Sequence, residues 1–167
     1  MSPRVVPRLL GLAIPLLGGC PEPPPAGPCA GDGDPVLALA NRGAAAELAD
    51  GDELEVFPPP QGGVFTELDV TIDSMAASEL QDFYVRVDAA ATGESLATVR
   101  YYGETLGMIL RCTEEDLLVV DNVPVGFADA LSLTDLDGVA AVLTGTLETT
   151  RGDFETRYEV VLHATEY

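Results

Sequence analysis

Short stretches in which apolar and polar residues alternate are the strongest constraint on how this chain folds. Between residues 64 and 73 one face is apolar and consists of Val64, Leu68, Val70 and Ile72. The opposite face is mostly acidic or hydroxylated. Because successive side chains of a β-strand point to opposite sides of the sheet, this pattern predicts a strand that is buried on one side.

Similar segments recur along the chain and are separated by turn residues. Residues 83–89 repeat the alternation, with Tyr84, Arg86 and Asp88 on the polar side. Apolar runs predict further strands at Leu54–Phe57, Ser95–Tyr102, Thr105–Cys112, Leu117–Val120, Leu131–Leu133, Val139–Leu147 and Phe154–Thr165. The pair Asp137-Gly138 is a hairpin signal. Short helical turns are expected only at residues 44–49 and 74–80.

These segments together predict an all-β fold. Seven to nine short strands at turn-marked intervals are typical of an antiparallel β-sandwich, immunoglobulin-like in broad shape, and we place it at residues 36–167. The chain contains no tryptophan, so the buried tryptophan that is usual in immunoglobulin domains is missing.

The charge balance narrows the possible partners. The chain has 28 acidic residues and 8 basic residues, all arginine, for a formal net charge of −20. Such a surface repels phosphate backbones, so nucleic acid is not an expected partner. It also disfavours electrostatic docking on anionic lipids. Any attachment to a membrane therefore needs a covalent anchor or an apolar segment.

The first 19 residues have the three-part form of an export signal. Arg4 and Arg8 provide the positive start, an apolar stretch follows at Leu9–Leu17, and two glycines precede Cys20. The apolar stretch is too short to cross a bilayer, which takes about 20 apolar residues. We therefore expect residues 1–19 to be a cleaved signal peptide.

The sequence Leu17-Gly18-Gly19-Cys20 resembles the lipobox of bacterial lipoproteins. In that family the cysteine thiol receives a diacylglycerol through a thioether, a peptidase cuts before the cysteine, and the new amino group is acylated. The resemblance implies lipidation of Cys20 and partnership with a membrane through that lipid. Pro21 replaces the aspartate associated with inner-membrane retention, which favours the outer membrane. The alternative is an ordinary signal peptide that happens to precede a cysteine.

Residues 20–35 form a linker rich in proline and glycine. Its composition disfavours regular structure and favours extended conformations, which suits a tether between a lipid and a domain. Acidic residues next to glycines here and at Asp50 and Asp52 raise the question of calcium. The spacing of an EF-hand loop is not met, so we interpret them as turn formers and predict no metal site.

Two cysteines remain after Cys20. Cys29 and Cys112 form an even pair in an oxidising compartment, and the simplest interpretation is one disulfide between the linker and the domain. The alternatives are a buried free Cys112 and pairing with another chain. Two cysteines and one histidine do not make a zinc site.

Some segments are similar to a group of uncharacterised lipoproteins from myxobacteria-like organisms. The similar parts are LADGDEL at Leu48–Leu54, PQGG at Pro60–Gly63 and LTDLDG at Leu133–Gly138. That group usually has a histidine soon after the two glycines, where this chain has Val64 and Phe65, so the role of that histidine is not carried over. The resemblance implies a lipoprotein with a sandwich domain and no particular activity.

We find no catalytic constellation and no cofactor motif in the sequence. The single histidine, His163, falls on the polar face of a predicted strand, and no nucleophile elbow is present. Tyr84, Tyr101 and Tyr102 are a possible small aromatic patch, with one of the adjacent pair in the core. The favoured hypothesis is a non-catalytic envelope module that binds an envelope protein or a glycan. The alternatives are a carbohydrate or calcium-dependent adhesion module and a secreted carboxylate-based hydrolase.

Overall fold

The computed structural model describes Cys29 and residues 33–165 of the chain. The predicted signal peptide at residues 1–19, the predicted lipidation site Cys20 and most of the linker lie outside the described residues.

Within the described residues there are nine strands and three short helical turns. The strands are β1 (Val36–Asn41), β2 (Glu53–Val56), β3 (Phe65–Asp73), β4 (Leu80–Ala89), β5 (Ser95–Tyr102), β6 (Arg111–Cys112), β7 (Leu118–Gly126), β8 (Ala140–Thr149) and β9 (Gly152–Ala164). The helices are a 3-10 turn at Ala77–Glu79, α1 at Gly103–Ile109 and α2 at Leu133–Leu136.

The strands form two sheets that pack face to face. One sheet has the order β1-β3-β7-β6 and the other the order β2-β9-β8-β4-β5. The predicted all-β sandwich of seven to nine strands is therefore confirmed. One pair departs from the antiparallel prediction, because β2 runs parallel to β9. The chain enters β2 from β1 of the opposite sheet. No short turn joins β2 to β9, so the two strands are not required to run antiparallel.

The apolar faces predicted from alternation line the space between the sheets. The buried residues of the two clearest strands are Leu68, Val70 and Ile72 of β3 and Phe83, Val85 and Val87 of β4. Burying an aliphatic or aromatic side chain of this size contributes about 1.5–3 kcal/mol relative to leaving it exposed. Gly145 lets β8 approach β1 closely, because a Cβ there would lie 3.0 Å from Leu37 Cδ2 and 3.1 Å from Leu39 Cδ1.

Four predicted elements are corrected by the structure. Residues 44–49 contain no helical turn. The run Thr105–Cys112 is mostly helix α1, and only its last two residues form a strand, β6. Leu131–Leu133 is not a strand, since Leu133 begins α2. Asp137-Gly138 ends that helix rather than closing a hairpin, and Gly138 has the left-handed φ of 77° that is common just after a helix.

Side chains close both open sides of the sandwich. On one side Asn41 of β1 accepts a hydrogen bond from the Glu55 backbone N–H of β2 at 3.1 Å, and its amide donates to the Glu53 carbonyl at 2.8 Å. On the other side the Tyr101 hydroxyl of β5 donates to the Pro124 carbonyl of β7 at 2.9 Å. Pro124 has no N–H to leave unpaired, which suits a strand edge. These bonds join the two sheets at their margins.

We define the tether end as the end of the sandwich at which β1 begins. It contains the connection from β3 to β4 at residues 74–79, helix α1 and the turn between β8 and β9. The opposite end, the distal end, contains the turn between β4 and β5 and the long connections at residues 57–64 and 127–139.

The described part of the linker is fastened to the tether end. Cys29, which is fully buried, forms a disulfide with Cys112 of β6, and the two Cα atoms are 5.7 Å apart. This is the pairing that the sequence favours. Arg151 donates to the Gly33 carbonyl at 2.6 Å and to the Ser74 carbonyl at 2.7 Å, and it pairs with Glu79 at 3.2 Å. The chain therefore enters the domain at one defined end.

One buried polar group offers a test of the core. Thr66 of β3 is fully buried, and its hydroxyl has no hydrogen-bond partner among the described residues. Because burying an unpaired hydroxyl is unfavourable, we expect Thr66→Val, which keeps the shape, to raise the free energy of unfolding by about 1 kcal/mol. Urea unfolding with an unchanged m-value measures this. Thr66→Ala, which leaves a cavity, is the contrasting control and must be destabilising. A loss of stability in Thr66→Val would mean that the hydroxyl is bonded.

Candidate functional site: a depression on the five-stranded sheet

The outward surface of the five-stranded sheet carries an open depression near its centre. Its volume is about 390 Å³. That is within the range of sites for small organic ligands, about 300–1,000 Å³. We call it the outer depression; the residues that line it are Tyr84, Val85, Arg86, Thr98, Thr144, Thr146, Glu148 and Glu155.

Strand pairing, not sequence proximity, assembles these residues. Tyr84 of β4 lies opposite Thr146 of β8, which in turn lies opposite Glu155 of β9. Arg86 lies opposite Thr144 on one side and Thr98 of β5 on the other. Outward positions on paired strands stand about 5 Å apart, so four strands contribute to a single surface.

A stack of two tyrosines and an arginine borders the outer depression. The guanidinium carbon of Arg100 lies 4.5 Å from the centre of the Tyr84 ring and 4.9 Å from that of Tyr102. Arg100 also pairs with Asp82 and lies 3.5 Å from Glu148. Tyr102 is 59% exposed, so one aromatic ring at this border faces solvent.

The electrostatics of the site follow from these contacts. Loss of solvent and the neighbouring Glu148 carboxylate raise the pKa of the Tyr84 hydroxyl. The hydrogen bond with Asp82 raises the pKa of Arg100. Arg86 is paired with Asp88 at 2.7 Å. Arg86 and Arg100 are thus each paired with a carboxylate of the same surface. Arg157 of β9, opposite Thr144, lies on this surface too and has no ion-pair partner among the described residues. Glu155 has no ion-pair partner among the residues that the structure describes.

The residues singled out in the sequence have different positions. Tyr84 and Tyr102 lie on this outer surface, whereas Tyr101 faces the core and stacks on Phe83 with ring centres 6.4 Å apart. One tyrosine of the adjacent pair is therefore inside, as predicted. His163 is exposed on β9 beside Asp137, 3.9 Å away, and does not line the depression. Cys29 and Cys112 are at the tether end.

Arg100, Glu148, Glu155 and the threonines that line the site were not predicted from the sequence. The alternation of apolar and polar residues in β4 and β5 is visible in the sequence, and it places four residues on outward faces: Tyr84, Arg86, Thr98 and Arg100. The order of the strands in the sheet is not visible in the sequence, and only that order brings Thr146 beside Tyr84.

Other polar groups serve the fold. The Tyr158 hydroxyl accepts from the Leu39 N–H at 3.3 Å and donates to Glu47 at 2.6 Å, and burial raises its pKa. The carboxylates of Asp50 and Asp52 accept backbone N–H groups of Glu159 and Ala49, respectively. Across the part of the chain that the structure describes, no group of three or more acidic, histidine or cysteine side chains is placed to hold a metal ion.

The described residues contain no helix with the length and apolar character needed to cross a bilayer.

Comparison with known proteins places the chain in no family. No family model and no curated protein matches the sequence. Among solved structures, the chain is similar to the crystal structure of an engineered protein, with 17% sequence identity and a TM-score of 0.40. The alignment covers 78% of this chain and 20% of the engineered one.

Proposed function

We propose that this chain is a lipid-anchored lipoprotein of the bacterial envelope whose β-sandwich is a non-catalytic binding module. The observation that carries the proposal is the attachment of the linker to one end of the sandwich by the Cys29–Cys112 disulfide and by Arg151. A linker fastened in this way acts as a tether, because it limits the distance between the anchor and one end of the folded domain.

The length of the linker supports this arrangement. Nine residues lead from Cys20 to Cys29. A fully extended chain of that length spans about 30 Å. An acylated Cys20 holds the tether end within that distance of the membrane surface and leaves the distal end pointing away. The outer depression, on the side of the domain, stays open to other envelope components.

The module is proposed to be non-catalytic on the basis of its side chains. Asp82, Asp88 and Glu148 face arginines of the same surface, which leaves Glu155 as a single lining carboxylate without an ion pair, and His163 lies outside the depression. A general acid or base needs a titratable group within hydrogen-bond reach of a reacting atom. The strongly acidic chain argues against nucleic acid as partner, and Pro21 after the anchor favours the outer membrane.

The test of the anchor is the mass of the mature amino-terminal peptide. In the native host we expect the parent chain in the membrane fraction, with a peptide that begins at Cys20 and carries added acyl mass. We expect Cys20→Ser to lose the acyl mass and to leave the lipid-anchored fraction, since at least two acyl chains are needed for stable attachment.

Cys112→Ser is the matched control for this test. It breaks the disulfide with Cys29 but leaves Cys20 intact, and because acylation acts on the linear motif, the variant must stay acylated and membrane-bound. A parent peptide without added mass, recovered from the soluble fraction, would overturn the anchor and make a diffusible secreted protein the better description.

A further inference from the structure

We infer that the outer depression binds a neutral glycan. This inference rests on the proposed binding role of the sandwich and names the class of ligand for its site. The evidence comes from the shape, the side-chain chemistry and the charge balance of the depression.

The side chains of the outer depression suit a ligand that is rich in hydroxyl groups. Thr98, Thr144 and Thr146 carry hydroxyls that donate and accept hydrogen bonds, and Glu148 and Glu155 present acceptors. The Thr98 hydroxyl also bonds to the Ser95 hydroxyl at 3.1 Å, and Thr144 is only 6% exposed, so Thr146 is the most available of the three. A sugar ring offers donors and acceptors around its edge in the same way. Among the lining side chains, Tyr84 is the one aromatic group, so the depression is not suited to a mainly apolar ligand.

The aromatic border provides the second feature that a sugar requires. Sugar rings have a face of C–H groups that packs on aromatic rings, and tyrosine combines an apolar ring with a polar hydroxyl. Tyr84 lines the depression, and Tyr102 lies beyond it on the other side of Arg100. Since Arg100 contacts both rings, their positions are set before a ligand arrives, which lowers the entropic cost of binding.

The charge balance selects a neutral ligand over a charged one. An anion would face Glu148 and the unpaired Glu155 on a chain of net charge −20. A cation would find Glu155 as the one lining carboxylate without an ion pair, would have to compete with Arg86 and Arg100 for the others, and would have Arg157 on the same face. A neutral polyhydroxyl ligand disturbs none of these ion pairs, because it uses the lone pairs that the pairs leave free.

The experiment uses the full-length chain in a polyoxyethylene detergent, which has no sugar head group. The probes are neutral hexasaccharides of glucose and of N-acetylglucosamine, with hexagalacturonate as the anionic and hexa-arginine as the cationic comparison. Saturation-transfer NMR detects weak binding, and tyrosine fluorescence gives Kd. We expect at least one neutral hexasaccharide to bind, and the two charged probes to bind the depression at least about tenfold more weakly, counting only the binding that Tyr84→Ala or Glu155→Gln reduces. Hexa-arginine is also attracted to the acidic surface elsewhere, and that binding does not depend on these residues.

Substitutions locate the binding. We expect Tyr84→Ala and Glu155→Gln each to weaken it by about tenfold, and Tyr84→Phe, which keeps the ring, to weaken it by less than about threefold. Val161→Ala, on the same side of the sheet but outside the depression, must leave Kd unchanged. Far-UV circular dichroism checks that each variant is folded, and Glu155→Gln, on an exposed side chain, keeps the test valid if Tyr84→Ala unfolds.

Three outcomes would overturn the inference. They are no binding of either neutral probe at millimolar concentration, preferential binding of a charged probe that is weakened by Tyr84→Ala or Glu155→Gln, and neutral binding that is insensitive to both substitutions. The test of the anchor is independent of these three outcomes, because acylation of Cys20 is measured from the mass of the amino-terminal peptide. Failure of the ligand and failure of the lipoprotein proposal are therefore distinguishable.

Discussion

Replacing Cys29 and Cys112 together with serine is expected to lower the free energy of unfolding by about 4.5 kcal/mol, the value that the chain-entropy model assigns to a closed loop of this length. The two cysteines are 83 residues apart in sequence, so the bond restricts a large part of the unfolded chain. It also joins the linker to β6, a strand of only two residues that pairs with β7 alone. Losses between about 2 and 5 kcal/mol are usual for native disulfides.

Guanidinium unfolding followed by far-UV circular dichroism measures this loss. Both chains should carry Cys20→Ser, so that no third thiol exchanges with the pair. A thiol reductant must lower the stability of the parent by a similar amount and must leave the double variant unchanged. Equal midpoints for parent and double variant would show that the bond does not form in the protein.

Loss of the disulfide should leave the linker partly attached. Arg151 still reaches the Gly33 and Ser74 carbonyls in the absence of the bond. We therefore attribute the expected effect mainly to the unfolded chain, which gains conformational freedom, rather than to lost contacts in the folded domain.

Phe83→Ala is expected to lower the free energy of unfolding by about 3–5 kcal/mol. Phe83 is 1% exposed and belongs to β4, a strand paired on both sides by β5 and β8. Its ring stacks on Tyr101, which in turn bonds to Pro124 of the opposite sheet. Truncation therefore leaves a cavity between the two sheets, next to the margin at which Tyr101 joins them.

The neighbouring residue is the matched control for this substitution. Tyr84 follows Phe83 in the same strand but points outward, so we expect Tyr84→Ala to cost no more than about 1 kcal/mol. Thermal unfolding of the two variants beside the parent measures the difference. Similar losses in both variants would mean that the two faces of β4 are not divided into core and surface as the structure has them.

Alternation in the sequence was sufficient to predict the fold class. Ser95–Tyr102 is a strand with the predicted bounds, and the predicted apolar face of residues 64–73 is buried. The pattern failed at 105–112, where Leu106, Met108 and Leu110 alternate as in a strand. Leu106, Ile109 and Leu110 also have helical spacing, and a short apolar run does not distinguish the two. The close approach at Gly103, where a Cβ would lie 2.5 Å from the Gln81 carbonyl oxygen, accompanies the change from β5 to helix.

The candidate site was less predictable than the fold. The outward direction of Tyr84, Arg86 and Arg100 follows from local alternation. Their grouping with Thr146 and Glu155 depends on β8 lying between β4 and β9, and residues that are 46 to 71 positions apart in sequence carry no local sign of being neighbours.

The sequence by itself therefore determined which residues of each strand face inward, because the period of side-chain direction is a property of the single strand. It also contains the lipobox-like segment from which we propose the anchor, since that motif is read as a linear peptide. The tertiary structure alone decided the order of the strands, the parallel pairing of β2 with β9 and the assembly of the outer depression. All three features depend on how strongly segments that are far apart in the sequence pair with one another. The preferred pairing is decided only when the two sheets pack and bury a common core.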